Sequence, residues 1–146
     1  MARFIGRYEH SLDVKGRVIL PAKLRASFDT QAFLTQQFDR CLALWTPEGF
    51  EELSEVMQAK QQIEEERNSV RLWASTSIEV ELDRQGRFAI PQFLREFAGL
   101  EIEKPAMITG DLDHIELWNP QEFAARVQPS EIKWTTSSPA GGPASA

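Results

Sequence analysis

A β-rich α+β fold, built from two tandem copies of one small module and carrying extra helices, is what three observations in this 146-residue sequence predict. The first is an internal repeat, which takes precedence over any local reading. Leu12-Asp13-Val14-Lys15-Gly16-Arg17-Val18-Ile19-Leu20-Pro21-Ala22-Lys23-Leu24-Arg25 lies over Leu82 to Arg95 at an offset of 70, with seven of fourteen positions identical. The second is that Leu44-Trp45-Thr46-Pro47-Glu48-Gly49-Phe50 is answered by Leu117-Trp118-Asn119-Pro120-Gln121-Glu122-Phe123 at an offset of 73, with four more identities. The third is the texture of each copy: short apolar, β-branched runs closed by Gly and Pro, with brief helical starts between them.

Within the first copy, Tyr8 to Asp13 and Arg17 to Leu20 read as extended runs joined by Val14-Lys15-Gly16. Gly16 supplies the positive φ that a tight hairpin or its bulge requires, and Asp13 can fold its carboxylate onto the turn's own amides. Val18-Ile19-Leu20 is a buried strand by composition, and Pro21 stops it because proline has no amide for a sheet. A short helix follows from Pro21, with Leu24 and Phe28 at the i, i+4 spacing of one apolar face. Cys41 to Trp45 is another strand. Thr46-Pro47 and Asn119-Pro120 then place a capping side chain before a first-turn proline, so a second helix starts in each copy. In the first copy it is expected to run from Pro47 to about Val70, acidic, with Phe50, Leu53, Met57 and Ile63 as its apolar positions. Past Val127 the residues turn to Pro, Ser, Thr, Gly and Ala, too poor in apolar groups to fold alone.

The longest apolar run, Cys41 to Trp45, has five residues, against the roughly 20 of a membrane-spanning helix. Nothing at Met1 to Arg7 resembles a secretory signal, so a cytoplasmic protein is expected. The single cysteine, Cys41, excludes an internal disulfide. The formal charge of −6 argues against a nucleic-acid partner until it is mapped. Seven glutamates between Glu48 and Arg67 face only Lys60 and Arg67, while residues 1 to 30 carry Arg3, Arg7, Lys15, Arg17, Lys23 and Arg25 against Glu9, Asp13 and Asp29. This asymmetry points to an anionic partner at one end of the molecule.

Arg17 lies just past the turn with Lys15 before its glycine, so a two-stranded ribbon would carry two cations at its tip. Such a ribbon fits the major groove, where arginine reads guanine O6 and N7. The competing reading is that Arg17 pairs with Asp13, or with a glutamate of the other copy, and only fixes the loop. The second copy keeps Asp83, Gly86 and Arg87 but has Gln85 in place of Lys15. The shared Asp–Arg pair is therefore partly structural, and contact is biased toward the first copy. Asp13, Gly16, Asp83, Gly86 and Arg87 are assigned mainly to the turns. Asp111, Asp113 and His114 are read as a turn between strands and not as a metal site, since no second histidine or cysteine accompanies them. Trp45 and Trp118, at matching repeat positions, are read as core or interface residues. Without a phosphate loop, a nucleophile elbow or an acid–base–nucleophile set, no catalytic residue, metal, cofactor or small-molecule substrate is assigned.

The repeated Asp-x-x-Gly-Arg-x-x-x-Pro-x-x-Leu-Arg, at Asp13 to Arg25 and Asp83 to Arg95, resembles the MraZ transcriptional regulators of bacteria, and Leu94-Arg95-Glu96-Phe97-Ala98-Gly99-Leu100 is similar to that family's continuation. The likeness covers about residues 1 to 128. It implies a pseudo-twofold pair of AbrB-like (double-psi, swapped-hairpin) modules, 6–52 and 77–128, joined by an acidic helical linker, 53–76; the tail, 129–146, falls outside the likeness and is expected from its composition to be disordered. It also implies a ring-like homo-oligomer on double-stranded DNA, bound to short direct repeats upstream of the division and cell wall gene cluster, usually its own promoter, and a place on the nucleoid. By position, Arg17 would be the principal DNA contact, with Lys15, Arg3 and Arg7 as helpers by charge. A ring would make each later contact intramolecular and strengthen a weak single tip. An AbrB-like protein-interaction or antitoxin-type module is the alternative, since fold alone does not fix function.

Overall fold

The computed structural model describes residues 3–130; the tail expected to be disordered lies, from residue 131 onward, outside them. In the first copy β1 (Arg7–Ser11) leads through a turn to β2 (Arg17–Ile19), the one-turn helix α1 (Ala22–Arg25), β3 (Gln31–Gln36), a 3-10 turn at Phe38–Arg40 and β4 (Leu42–Trp45). Helices α2 (Pro47–Lys60) and α3 (Glu64–Thr76) follow. The second copy repeats the order with β5 (Ile78–Glu81), β6 (Arg87–Ala89), α4 (Gln92–Ala98), β7 (Pro105–Gly110), β8 (Ile115–Trp118) and α5 (Pro120–Arg126). Both expected capping residues act: Thr46 Oγ1 accepts the Gly49 amide at 3.0 Å and Asn119 Oδ1 accepts that of Gln121 at 2.8 Å, each before a proline in the first turn. Pro21 and Pro91 stand one step earlier than the sequence implies, at the N-cap rather than inside the helix.

Strand pairing departs from the local hairpin that the sequence predicts. The tight turn closes, with Gly16 N donating to Asp13 O at 3.0 Å, but the strands it joins go to different sheets. A six-stranded antiparallel sheet runs β1-β7-β8-β4-β3-β5, and β2 pairs with β6 in a second, two-stranded sheet. Thus β1 of the first copy lies on β7 of the second, Tyr8 opposite Ile108, and β5 of the second lies on β3 of the first, Ala32 opposite Val80. The reason is burial. An isolated two-stranded ribbon is marginal in water, whereas β2 and β6 laid together put Val18, Leu20, Phe88 and Ile90 into one core, each at most 1% exposed. These four join Leu34, Leu44, Ile108 and Leu117 from the large sheet in a single cluster drawn from both copies.

Trp45 and Trp118 are buried as expected, their indoles donating to Thr35 Oγ1 at 3.1 Å and Glu116 Oε1 at 2.9 Å. Burial raises the pKa of the Cys41 thiol far above its ordinary value, with the charge of Glu116 adding to the effect. No helix among the described residues is long and apolar enough to cross a membrane.

The long acidic helix expected from Pro47 to Val70 is instead two helices, broken where Ile63 turns extended at φ −98° and ψ 121°. A straight helix would separate Phe50 from Trp73 by about 35 Å at 1.5 Å per residue. Their rings instead stack with centroids 5.5 Å apart, and Phe50 stacks in turn on Phe33 of β3 at 4.3 Å. The break folds α3 back so that Phe33, Phe50 and Trp73 cover one another. Trp73→Ala should therefore cost about 2 kcal/mol in urea denaturation, below the roughly 3–5 kcal/mol of truncating a fully buried aromatic, because Trp73 is only half-buried. An unchanged midpoint would show that α3 is held by other contacts.

Candidate nucleic-acid interface

Each turn is organised by its aspartate. Asp13 Oδ1 accepts the backbone amides of Lys15 and Arg17, both at 2.9 Å, and Oδ2 accepts Arg17 Nε at 2.8 Å. The second copy reproduces this: Asp83 Oδ1 accepts the amides of Gln85 and Arg87 at 2.9 Å, and Oδ2 accepts Arg87 Nε at 2.7 Å. The amide of the arginine, with smaller help from its guanidinium, holds each carboxyl below the usual carboxylate range against the opposing effect of desolvation. The loop-fixing pair that the sequence left open is thus present. It is made through Nε and leaves the Arg17 side chain 31% exposed, so it orients the guanidinium without burying it.

The two turns are locked to each other. Leu20 N donates to Gly86 O at 2.8 Å, and Ile90 N donates to Gly16 O at 3.0 Å. Arg95, from α4 of the second copy, crosses directly over Gly16 of the first, donating from Nη1 to Ile90 O at 2.7 Å. Arg25, from α1 of the first copy, crosses over Gly86 of the second, donating from Nη2 to Leu20 O at 2.9 Å. Both glycines have positive φ, +77° and +81°, and at both a β-carbon would collide with the arginine of the other copy. The glycine and the final arginine of the repeated motif are therefore two halves of one contact.

The cationic ribbon exists, but its strands come from different copies. In the β2–β6 ladder Arg17 faces Ala89 and Ile19 faces Arg87. Val18 and Phe88 point into the core, so by strand alternation Arg17 and Arg87 share the outward face, diagonally placed at about 7–8 Å. The first tip gathers Lys15, Arg17 and Arg95 around Asp13, and the second gathers Arg84, Arg87 and Arg25 around Asp83. Each carries three cations, and Asp29 lines the same pocket as Arg25, Asp83 and Arg84 at the second tip. Reading each copy as its own unit hid this balance, because the arginine that completes a tip belongs to the other copy. Arg25 and Arg95 were the residues missed; their identity in both copies of the motif was the available signal.

Arg3 and Arg7 are not brought to the tips. Arg7 begins β1, six residues before Asp13, about 20 Å away along an extended chain, and its guanidinium lies 5.1 Å from the Phe123 ring centroid. Arg3 lines a pocket with Glu48, Glu52, Asp111 and Asp113. The acidic helix α2 packs on β3 and β4.

Residues 3–72 and 74–138 match the family described as "MraZ protein, putative antitoxin-like". The chain belongs to the MraZ family. A curated relative, "Transcriptional regulator MraZ" of Thermomicrobium roseum, is 36% identical over 127 residues, which span 86% of this chain and 87% of the relative. Neither name is that of an enzyme. The two matched segments meet at residue 73, so the MraZ match itself falls as two tandem units. A solution structure, PHS018 from Pyrococcus horikoshii, aligns over 82% of this chain and 94% of its own at 12% identity with a TM-score of 0.35, too distant to carry an argument.

Gly16→Ala and Gly86→Ala should each destabilise the protein by about 1–3 kcal/mol, the cost of a non-glycine residue at positive φ together with displacement of the crossing arginine, read as lower urea midpoints. Because the folded-state pKa values of Asp13 and Asp83 are depressed, their contribution is present above the ordinary aspartate pKa and fades as pH falls through the lower folded value. Between pH 7 and pH 3 the double variant Asp13→Asn, Asp83→Asn should thus lose less stability than the wild type; equal acid sensitivity would count against the assignment.

Proposed function

We propose that the protein is a sequence-specific, DNA-binding transcriptional regulator whose reading surface is the outward face of the β2–β6 ribbon. One observation carries this reading: Arg17 and Arg87, each aimed by its own aspartate, share that face between two clusters of cations in a protein of net charge −6. Guanidinium groups fixed in this way suit the two acceptors of guanine, and the surrounding lysine and arginines suit phosphate. Arg17 is the principal contact and Lys15 its neighbour. Arg3 and Arg7, at the other end of β1, would reach only DNA that extends past the tip. The interleaved strands support the AbrB-like, swapped-hairpin description of the two modules, 6–52 and 77–128, with 53–76 as the helical link and 129–146 as a tail.

In this reading the targets are short direct repeats upstream of the division and cell wall gene cluster, including the protein's own promoter, and the working form on the nucleoid is a ring-like homo-oligomer. A few phosphate contacts per tip give weak, salt-sensitive binding, which repetition around a ring raises by making each later contact intramolecular. The family description keeps an antitoxin-type interaction module as the second reading.

The deciding experiment is a titration against DNA from upstream of the protein's own gene and against scrambled DNA, at two salt concentrations. Binding should prefer the upstream sequence and weaken with salt. Arg17→Ala should reduce it by about 5- to 150-fold, the equivalent of 1–3 kcal/mol for a lost base contact, while size-exclusion elution stays unchanged. Equal affinity for both DNAs would overturn the regulator reading in favour of the interaction module.

A further inference from the structure

The β7–β8 turn gathers a second set of groups, far from the tips in character. His114, just before β8, and Glu116 and Trp118 within it alternate along the chain and so share one face. His114 is buried, and its ring stacks on Trp45 with centroids 4.6 Å apart. Its Nδ1 lies 2.8 Å from Asp113 Oδ1, a hydrogen bond that holds the ring with Nε2 toward the carboxylates. Nε2 lies 2.9 Å from Glu116 Oε2 and 3.3 Å from Asp111 Oδ2. Glu116 is held in turn by the Trp118 indole on Oε1 at 2.9 Å, leaving Oε2 to face the imidazole.

We propose that Asp111, His114 and Glu116 form a binding site for a divalent transition-metal ion, with zinc as the preferred occupant. One ligand atom from each residue lies within 4.8 Å of the other two. The 2.9 and 3.3 Å separations fall within the ligand–ligand edges, about 2.8–3.4 Å, of octahedral and tetrahedral shells at the usual metal–ligand distances of roughly 2.0–2.1 Å. A carboxylate on the Nδ1 proton of a histidine whose Nε2 faces other ligands is the outer-shell arrangement that metal-binding histidines use. One imidazole and two carboxylates suit zinc among the common divalent ions. Gln37 stands ready as a fourth donor: its amide lies 3.2 Å from His114 Nε2, and a half-turn would offer its oxygen. An adjoining pocket of about 460 Å³, lined by Glu48, Glu52, Asp111 and Asp113 against the single cation Arg3, gives a hydrated cation a favourable approach.

The first copy serves as a control. There Cys41 and Ala43 occupy the places of His114 and Glu116, and the β3–β4 connection closes through Phe38–Arg40 without this set of ligands. The reversal of direction does not require a histidine among carboxylates, so the fold alone does not account for the cluster. Reading Asp111, Asp113 and His114 alone as a turn overlooked Glu116, the ligand two residues further along the same strand face.

The test is calorimetric titration of ZnCl2 into the purified, EDTA-treated full-length protein, with thermal unfolding alongside. One saturable site and a raised unfolding midpoint are expected, because an ion bound only by the folded state stabilises it. Asp111→Asn changes an exposed side chain and leaves the core intact; it should weaken zinc binding by about tenfold or more, and Asp113→Ala by about 10–100-fold through loss of the outer-shell bond. His10→Asn, on exposed β1, should leave binding unchanged. Absence of saturable zinc binding, or wild-type affinity in Asp111→Asn, would overturn the proposal.

Discussion

The crossing of an arginine over a glycine, made twice, is the constraint on which the rest of the structure depends. Arg95 can reach Ile90 O only because Gly16 has no side chain in its path, and Arg25 reaches Leu20 O past Gly86 on the same terms. These contacts, with the backbone bonds from Leu20 to Gly86 and from Ile90 to Gly16, clamp β2 against β6. That clamp seals the core beneath it and puts Arg17 and Arg87 side by side above it. Stability and the candidate interface thus share the same few atoms. The two arginines of the Asp-x-x-Gly-Arg-x-x-x-Pro-x-x-Leu-Arg motif play different parts, since the first faces outward on its aspartate and the second faces the other copy.

Charge placement follows from the same exchange. A chain with a net charge of −6 can still present a basic face when seven of its sixteen glutamates lie on α2 and α3 and its arginines are pooled across copies. Neither half has this surface by itself. The large sheet ends on β1 and β5, whose residues include Arg7, Glu9, Glu79 and Glu81. Charged residues of this kind discourage further strands from adding to the edges.

Most of the local structure was legible in the sequence, because its causes are local. Asp13 and Gly16 dictate their turn, Thr46 and Asn119 dictate their caps, and Pro21 ends its strand wherever the neighbours lie. Strand partners were not legible, since the alternation of β1 is equally compatible with β2 or β7 beside it; only the shared burial of Val18, Leu20, Phe88 and Ile90 decides between them. The break at Ile63 was hidden for a similar reason. The apolar spacing of residues 47 to 70 permits one helix, and the stacking of Trp73 on Phe50, outside that stretch, selects two. The repeat made the arginines of the tips visible one copy at a time, but not that each tip is finished by its opposite number.

The pairing of β1 with β7 has a consequence for the newborn chain. Synthesis delivers β1 and β2 first, yet β6 and β7, their partners, are made some 70 to 100 residues later. Until then the first copy emerges with its opening strand unpaired and the apolar side of Val18 and Leu20 uncovered. Exposed surface and unpaired strand edges of this kind are what make partly folded chains prone to aggregate. A chain stopped after α3 would carry all the residues of one module and lack the partners that let it close.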